Sequence, residues 1–328
     1  MFAAMAVLLA AAATVQASPS HLVVVSGIGG EQEYVDRFYE WSVTMVDAAR
    51  GRVGMPASSV VYLAEKPERD PDRINGKSSK EEIERVLRSL AEEAGPADVV
   101  FILLIGHGSE RDGEPQLNLP GPDMSASDFA ELLNAFDSQR VVVVNTAPAS
   151  GGFVEVLSGP NRTVVTATKS RFERNDAVFG GFFVAAFAED VADTDKDGRV
   201  SVLEAFDYAR LEVAREYEED GRLLTEHAML DDNGDGEGSD EPDAKESDGA
   251  LARRTFLSAA AAVAAVDATD DPVLAALLVD KADIEQRIEA LRLQKADLDP
   301  DVYDDRLEDL VVELALKSRE IREHGGTN

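Results

Sequence analysis

The sequence predicts an α/β fold: a mostly parallel sheet covered by helices on both faces, followed by a C-terminal α-helical hairpin. Three observations predict it. Between residues 20 and 170, short apolar runs alternate with segments of helical periodicity. The runs are continuously apolar, as in strands buried on both faces, and do not alternate as half-exposed strands do. Beyond residue 270 the pattern changes to two long stripes of 3-4 spacing, broken at Asp299-Pro300.

The elements follow in order. His21-Leu-Val-Val-Val-Ser26 reads as a buried strand closed by the turn Gly27-Ile-Gly-Gly30. Glu33 to Ala49 reads as a helix, with Tyr34, Phe38, Trp41 and Met45 at helical spacing. Val60-Val-Tyr-Leu63 is a second strand. Ser79 to Ala91 is a helix, and Ser79 with Glu82 suggests a capping box. Asp98 to Ile105 is a third strand, ending in Gly106-His107-Gly108. Ser125 to Phe136 is a helix, and Arg140 to Val144 a fourth strand, ending in Asn145-Thr-Ala-Pro-Ala-Ser-Gly-Gly152. Arg162 to Ala167 is a fifth. In such sheets, ligands and catalytic groups collect beyond the carboxyl ends of the strands. The two polar, Gly-containing segments after strands three and four therefore belong on one edge.

Residues 1–17 read as a signal peptide, with an apolar run from Phe2 to Val15 and Val15-Gln16-Ala17 fitting the cleavage rule. The α/β domain is expected over 18–232. Residues 233–250 are mostly Asp, Glu, Gly, Ser and Pro, and are expected to be a solvated acidic linker. Residues 251–328 are expected to be helical. Arg253 to Leu257 and the Ala-rich run after it read as a helix. Leu274, Leu277, Ile284, Ile288, Leu291 and Leu298 then face Tyr303, Leu307, Leu310, Leu314 and Ile321 across an antiparallel hairpin.

The chain carries 64 acidic against 32 basic residues, a net charge of -32. That charge repels phosphate backbones and anionic lipid, which sets nucleic-acid and membrane-surface binding aside. There is no cysteine, which excludes disulfides, thiolate metal sites and cysteine nucleophiles.

Residues Asp193 to Glu204 read as an EF-hand-type calcium loop. Asp193, Asp195 and Asp197 occupy positions one, three and five, and Gly198 supplies the sharp turn at six. Arg199 would give its backbone carbonyl at seven, Ser201 a bridging water at nine, and Glu204 a bidentate carboxylate at twelve. Helical patterns flank the loop, Phe182 to Val191 before it and Val202 to Tyr217 after it. A single such loop points to a structural ion, not a sensor. A second candidate for Ca2+ is Asp231, Asn233 and Asp235 with Gly236. Its twelfth position is Pro242, so Glu237, Asp240 or Glu241 would have to replace the bidentate ligand.

His107, between two glycines at a strand end, has the chemistry of a general base or acid. Ile105-Gly106-His107-Gly108, followed about forty residues later by Thr146-Ala147-Pro148-Ala149-Ser150-Gly151, resembles the caspase and legumain group of cysteine peptidases. There one strand ends in a His-Gly pair carrying the catalytic histidine. The next ends in an acidic-Ala-Cys-x-Ser-Gly motif carrying the nucleophile. The resemblance covers roughly residues 20–230 and implies a caspase-like three-layer sandwich. It also implies a substrate cleft bordered by Lys169 to Asn175, where Arg171 and Arg174 would meet an acidic ligand. Pro148 stands where the group has its cysteine, so thiolate attack is impossible. The hydroxyls left nearby are Thr146 and Ser150.

Three functions stay open. One is an exported, calcium-binding peptidase homologue that is a pseudoenzyme, binding a protein or peptide as a scaffold module. Another is a hydrolase using Ser150 or Thr146 with His107. The third is a structural envelope or extracellular protein that assembles, as a homo-oligomer, through the hairpin. The expected location is secreted, periplasmic or cell envelope.

Overall fold

The computed structural model describes residues 19–258 except 97, 190, 197 and 246, scattered positions between 273 and 291, and residues 300–325. The chain divides into two compact units, one of them 18–261 and the other containing 262–328.

The larger unit is built on a seven-stranded sheet. Its first three strands are β1 (Ser20–Ser26), β2 (Val60–Ala64) and β3 (Gly76–Lys77), with helix α1 (Gln32–Asp47) crossing between β1 and β2. Helix α2 (Lys80–Glu93) leads to β4 (Val99–Ile105). A separate three-stranded sheet follows, made of β5 (Gly108–Arg111), β6 (Glu114–Leu117) and β7 (Met124–Ser125). Helix α3 (Ala126–Leu133), β8 (Arg140–Asn145), α4 (Gly152–Leu157) and β9 (Arg162–Thr166) complete the alternation. Helices α5 (Phe179–Ala188) and α6 (Val202–Glu219) precede the last strand, β10 (Met229–Asp231). The sheet order is β10-β9-β8-β4-β1-β2-β3; every neighbouring pair is parallel except β9 and β10.

The continuous apolar runs are explained by two cores. Leu22, Val24, Phe101, Leu103 and Val144 bury against residues of α1, α5 and α6 on one face. Val23, Val25, Val100, Ile102 and Val143 bury against α2, α3 and α4 on the other. All seven residues of β4 are buried, because β4 lies inside the sheet and has helices on both faces. Helix α3 starts in a complete capping box between Ser125 and Asp128. At α2 only half of the expected box forms: Ser79 accepts from the Glu82 amide, but the Glu82 carboxylate turns to Arg85.

Two expectations are corrected. Residues 233–250 are not a solvated linker: Ser239 pairs with Leu230, and Asp248 is 2 % exposed. Several of their side chains, among them Asn233, Asp235, Ser239, Asp243 and Asp248, accept from nearby backbone amides and hold the segment to the domain, although many of its residues stay exposed. Residues 251–257 are not helical beyond a single 3-10 turn at Ala252–Arg254, and Phe256 pairs with Ser201 as an extended bridge. Most of the Ala-rich run, like residues 1–17, lies outside the described residues.

In the C-terminal unit the helix Pro300–Gly325 packs Tyr303 and Leu310 against Ile284, Ile288 and Leu291. Arg287 pairs with Glu313 at 3.2 Å and Asp280 with Lys317 at 3.2 Å. The earlier residue pairs with the later one, so the two segments run antiparallel. No helix among the described residues is long and apolar enough to cross a membrane.

Candidate functional site

Three segments meet beyond the carboxyl edge of the sheet. His107 follows β4, Gly27–Gly30 follows β1, and Thr146–Gly151 follows β8. His107 Nε2 lies 3.1 Å from the Gly29 carbonyl. A carbonyl only accepts, so Nε2 donates and Nδ1 keeps its lone pair in the neutral ring. The rings of Tyr34 and Phe38 stand edge-on to the imidazole at 4.6 and 5.1 Å. A glycine is required at position 108, beside the histidine, on steric grounds alone. A Cβ there would lie 2.0 Å from the Pro148 carbonyl oxygen. Pro148 therefore sits against the residue that follows His107. Ala149 next to it has φ +57°, a left-handed conformation that a side chain adopts only under constraint. Its amide donates to the Glu173 carbonyl at 2.7 Å.

Neither candidate hydroxyl is held by the histidine. Thr146 is 2 % exposed and its Oγ1 donates to the Leu104 carbonyl at 3.0 Å. Ser150 is 1 % exposed; its Oγ accepts from the Thr168 amide at 3.3 Å and contacts Thr168 Oγ1 at 3.2 Å. Both tie the turn to neighbouring backbone. Gly151 packs directly on Lys169 and Ser170, which leaves little room above it. At the rim, Arg171 pairs with Glu110 at 3.5 Å and lies over the exposed Phe172 ring, and Arg174 donates to the Arg171 carbonyl. The two arginines face protein groups of the rim itself.

Sequence reading missed two acids nearby. Glu173 accepts from His227 Nδ1 at 2.5 Å and from the Lys169 amide at 3.0 Å, bracing the rim against the entry to β10. Glu226 is 4 % exposed and accepts from the amides of Val178 and Phe179 at the start of α5. Burial pushes its carboxyl up to about 7, against the pull of those two amides. Glu173 lies within the predicted cleft-bordering segment but was not singled out there, and Glu226 lies in no motif, so only the fold brings it to the site.

The 193–204 loop follows α5. Its entering helix ends at Ala188, earlier than the expected Val191. Asp193 Oδ2 accepts from the Gly198 amide at 2.8 Å, closing the turn, and Gly198 has φ +85°. Glu204 Oε1 accepts from the amides of Thr194 and Asp195 at 3.0 and 3.4 Å. Ser201 caps α6 in a full capping box with Glu204, so its hydroxyl serves the helix. The Arg199 guanidinium lies over the Phe256 ring at 3.8 Å. Asp193, Asp195 and Glu204 each bring a carboxylate oxygen within 4.8 Å of the others. That set is the one such acidic group among the described residues; Asp197 lies outside them. Oxygen-only donors at this density suit a hard cation. In the second candidate loop, Asp231 Oδ1 accepts from the Gly234 amide at 3.1 Å. Asn233 and Asp235 bond each other and the local backbone.

A model of the Peptidase C13 family matches residues 74–230, a span that contains both the His107 and the Pro148 segments. No curated protein matches the chain. Among solved structures, protein GSU0716 from Geobacter sulfurreducens aligns with a TM-score of 0.45 and 11% identity, over 69% of this chain and 96% of its own. The structure of drICE aligns with a TM-score of 0.38 and 8% identity, over 63% and 87%.

Proposed function

We propose that this chain is an exported, calcium-binding homologue of the legumain-like peptidases that has lost peptidase chemistry and works as a binding or scaffold module. The observation that carries the reading is Pro148, packed through its carbonyl against Gly108 where the related peptidases place their cysteine. Thiolate chemistry needs a sulfur that the sequence does not contain. The hydroxyls on either side are buried and bonded to Leu104 and Thr168. The cleft edge keeps a histidine, an exposed Phe172 and the Arg171–Glu110 pair, which suits holding an extended peptide.

Calcium at Asp193, Asp195, Asp197 and Glu204 clamps the link between α5 and α6 as a structural ion. The apolar leader over 1–17 directs export to the periplasm, envelope or medium. The partner is a protein or peptide, and the C-terminal hairpin offers a surface for self-association. Incubation of the purified protein with a mixed-peptide library and with serine-directed covalent probes tests the reading. No cleavage and no labelling are expected. Cleavage or labelling that His107→Ala abolishes would establish instead a hydrolase using Ser150 or Thr146.

A further inference from the structure

Asp231 is 1 % exposed, and its Oδ2 is buried with no hydrogen-bond partner among the described residues. Its other oxygen accepts from the Gly234 amide, which turns the carboxyl over the 231–236 loop. A buried carboxylate oxygen without a donor is costly, and two things relieve it, a proton or a cation. Among the described residues no Lys, Arg or His bonds to or pairs with Asp231, Asp232, Asp235 or Asp248.

The hydrogen bonding of this loop resembles that of the 193–204 loop, for which calcium is proposed above. In the 193–204 loop, the twelfth-position carboxylate of Glu204 accepts from the second and third amides, Thr194 at 3.0 Å and Asp195 at 3.4 Å. In the 231–236 loop, Asp248 Oδ1 accepts from the second and third amides, Asp232 at 3.0 Å and Asn233 at 3.4 Å. Both loops have a left-handed glycine at position six, Gly198 at φ +85° and Gly236 at φ +79°. Asp248 thus stands against its loop as Glu204 stands against the first, although it comes 17 residues after Asp231 where Glu204 comes 11 after Asp193. Pro242 at the twelfth position is no obstacle, because the chain closes the loop from further along. Asp232 locks that return: its carboxylate accepts from the amides of Gly249, Leu251 and Ala252. The two neighbouring acids therefore have different tasks. Asp232 is saturated by backbone donors, whereas Asp231 keeps an oxygen in reserve.

We propose that Asp231, Asn233, Asp235 and Asp248, whose three carboxylates do not all lie within 4.8 Å of one another as those of the first loop do, close on a hard divalent cation such as calcium, with Asp248 supplying the carboxylate that the loop's own sequence lacks. The donors are all oxygens, as such ions require. A bound ion would tie β10 to residues 248–252 and so staple the last strand of the sheet to the segment that leaves it.

Native mass spectrometry of the full chain with calcium tests this, with Glu204→Gln to separate the two loops. The wild type is expected to carry two ions, Glu204→Gln one, Asp248→Asn one, and the double variant none. Asp248→Asn keeps an oxygen for the two amides; should it still fail to fold, Asp231→Asn carries the same expectation. In the Glu204→Gln background, calcium should still raise the melting temperature, and Asp248→Asn should remove that rise. A wild type with one ion, lost in Glu204→Gln and kept in Asp248→Asn, overturns this site and leaves the first loop standing. A wild type with one ion, lost in Asp248→Asn and kept in Glu204→Gln, supports this site and sinks the first.

Discussion

The sheet edge and the acidic loops are opposites. At the edge the scaffold is in place and the reagent is missing: His107, the Gly29 carbonyl and the tight turn at Pro148 come together around no nucleophile. The two candidate hydroxyls there are bonded within the protein, Thr146 to Leu104 and Ser150 to Thr168, while Asn145 Nδ2 beside them is buried with no partner among the described residues. In the loops the reagents are present in excess. Asp193, Asp195 and Glu204 crowd within 4.8 Å, and Asp231 buries an oxygen with no donor among the described residues. The difference lies in what each region offers a ligand: the edge keeps its hydroxyls for the protein's own backbone, and the loops gather oxygens of the kind a hard cation takes.

The largest expected effect tests whether the edge is a rigid relic. Gly108→Ala would force a methyl onto the Pro148 carbonyl at 2.0 Å, a backbone atom that cannot swing aside. We expect a loss of about 3 kcal/mol in denaturant unfolding, the upper part of the usual overpacking range. Gly51→Ala, with nothing within 4 Å, is the control and should change stability little. Equal stabilities would mean that the turn at Pro148 yields, and that the edge is soft.

Glu226 sharpens the comparison from the other side, as a buried carboxylate whose donors come from the protein. Its folded pKa of about 7 lies above the ordinary glutamate value of 4.5, so the folded state holds a proton that the unfolded chain has released. The stability it contributes is complete below pH 4.5 and is lost as pH rises through 7. That shift is worth roughly 3 kcal/mol at most. Glu226→Gln should therefore gain stability relative to wild type as pH increases from 5 to 8, read as the difference between the two melting curves. A constant difference across that range would show that Glu226 ionises normally.

Calcium comes next. An ion bound only by the native state, at a hundredfold excess over its Kd, adds about 2.7 kcal/mol to apparent stability. Chelation should lower the melting temperature of wild type, and the lowering should shrink in Glu204→Gln. No response to calcium by melting or calorimetry would collapse the contrast, making the loops solvated acids and no more.

Much of this was legible in sequence, and the exceptions share a cause. The five core strands announce themselves as Val- and Leu-rich runs because both faces are buried. The His107 and Pro148 segments were found because each ends such a run. Strand β10 and the small β5–β7 sheet were missed: they are two to four residues long, too short to show a period. Residues 233–250 looked like linker because their composition is that of disorder. What orders them is a set of carboxylate-to-amide bonds, such as Asp232 to Ala252 at 2.7 Å, which no periodicity encodes. Asp248 went unnoticed for the same reason. Its partners are backbone amides, and the loop it closes lies outside the spacing of the calcium motif.

The smallest expected effect is the most direct probe of the relic. Pro148→Cys returns a thiol to the turn beside Gly108. If the edge still has a catalytic arrangement, His107 will share its proton, because its Nδ1 is the nitrogen left without the Gly29 carbonyl. A thiol lowered from about 8.5 to about 7.5 by a neighbouring imidazole has roughly tenfold more thiolate at pH 7. Alkylation of the variant by iodoacetamide at pH 7 should therefore run up to about tenfold faster than that of Pro148→Cys with His107→Ala. Removing the proline costs some stability through the unfolded chain, so both proteins are compared well below their melting temperatures. Equal alkylation rates would mean that the histidine no longer addresses position 148, and that the edge has lost its geometry as well as its nucleophile.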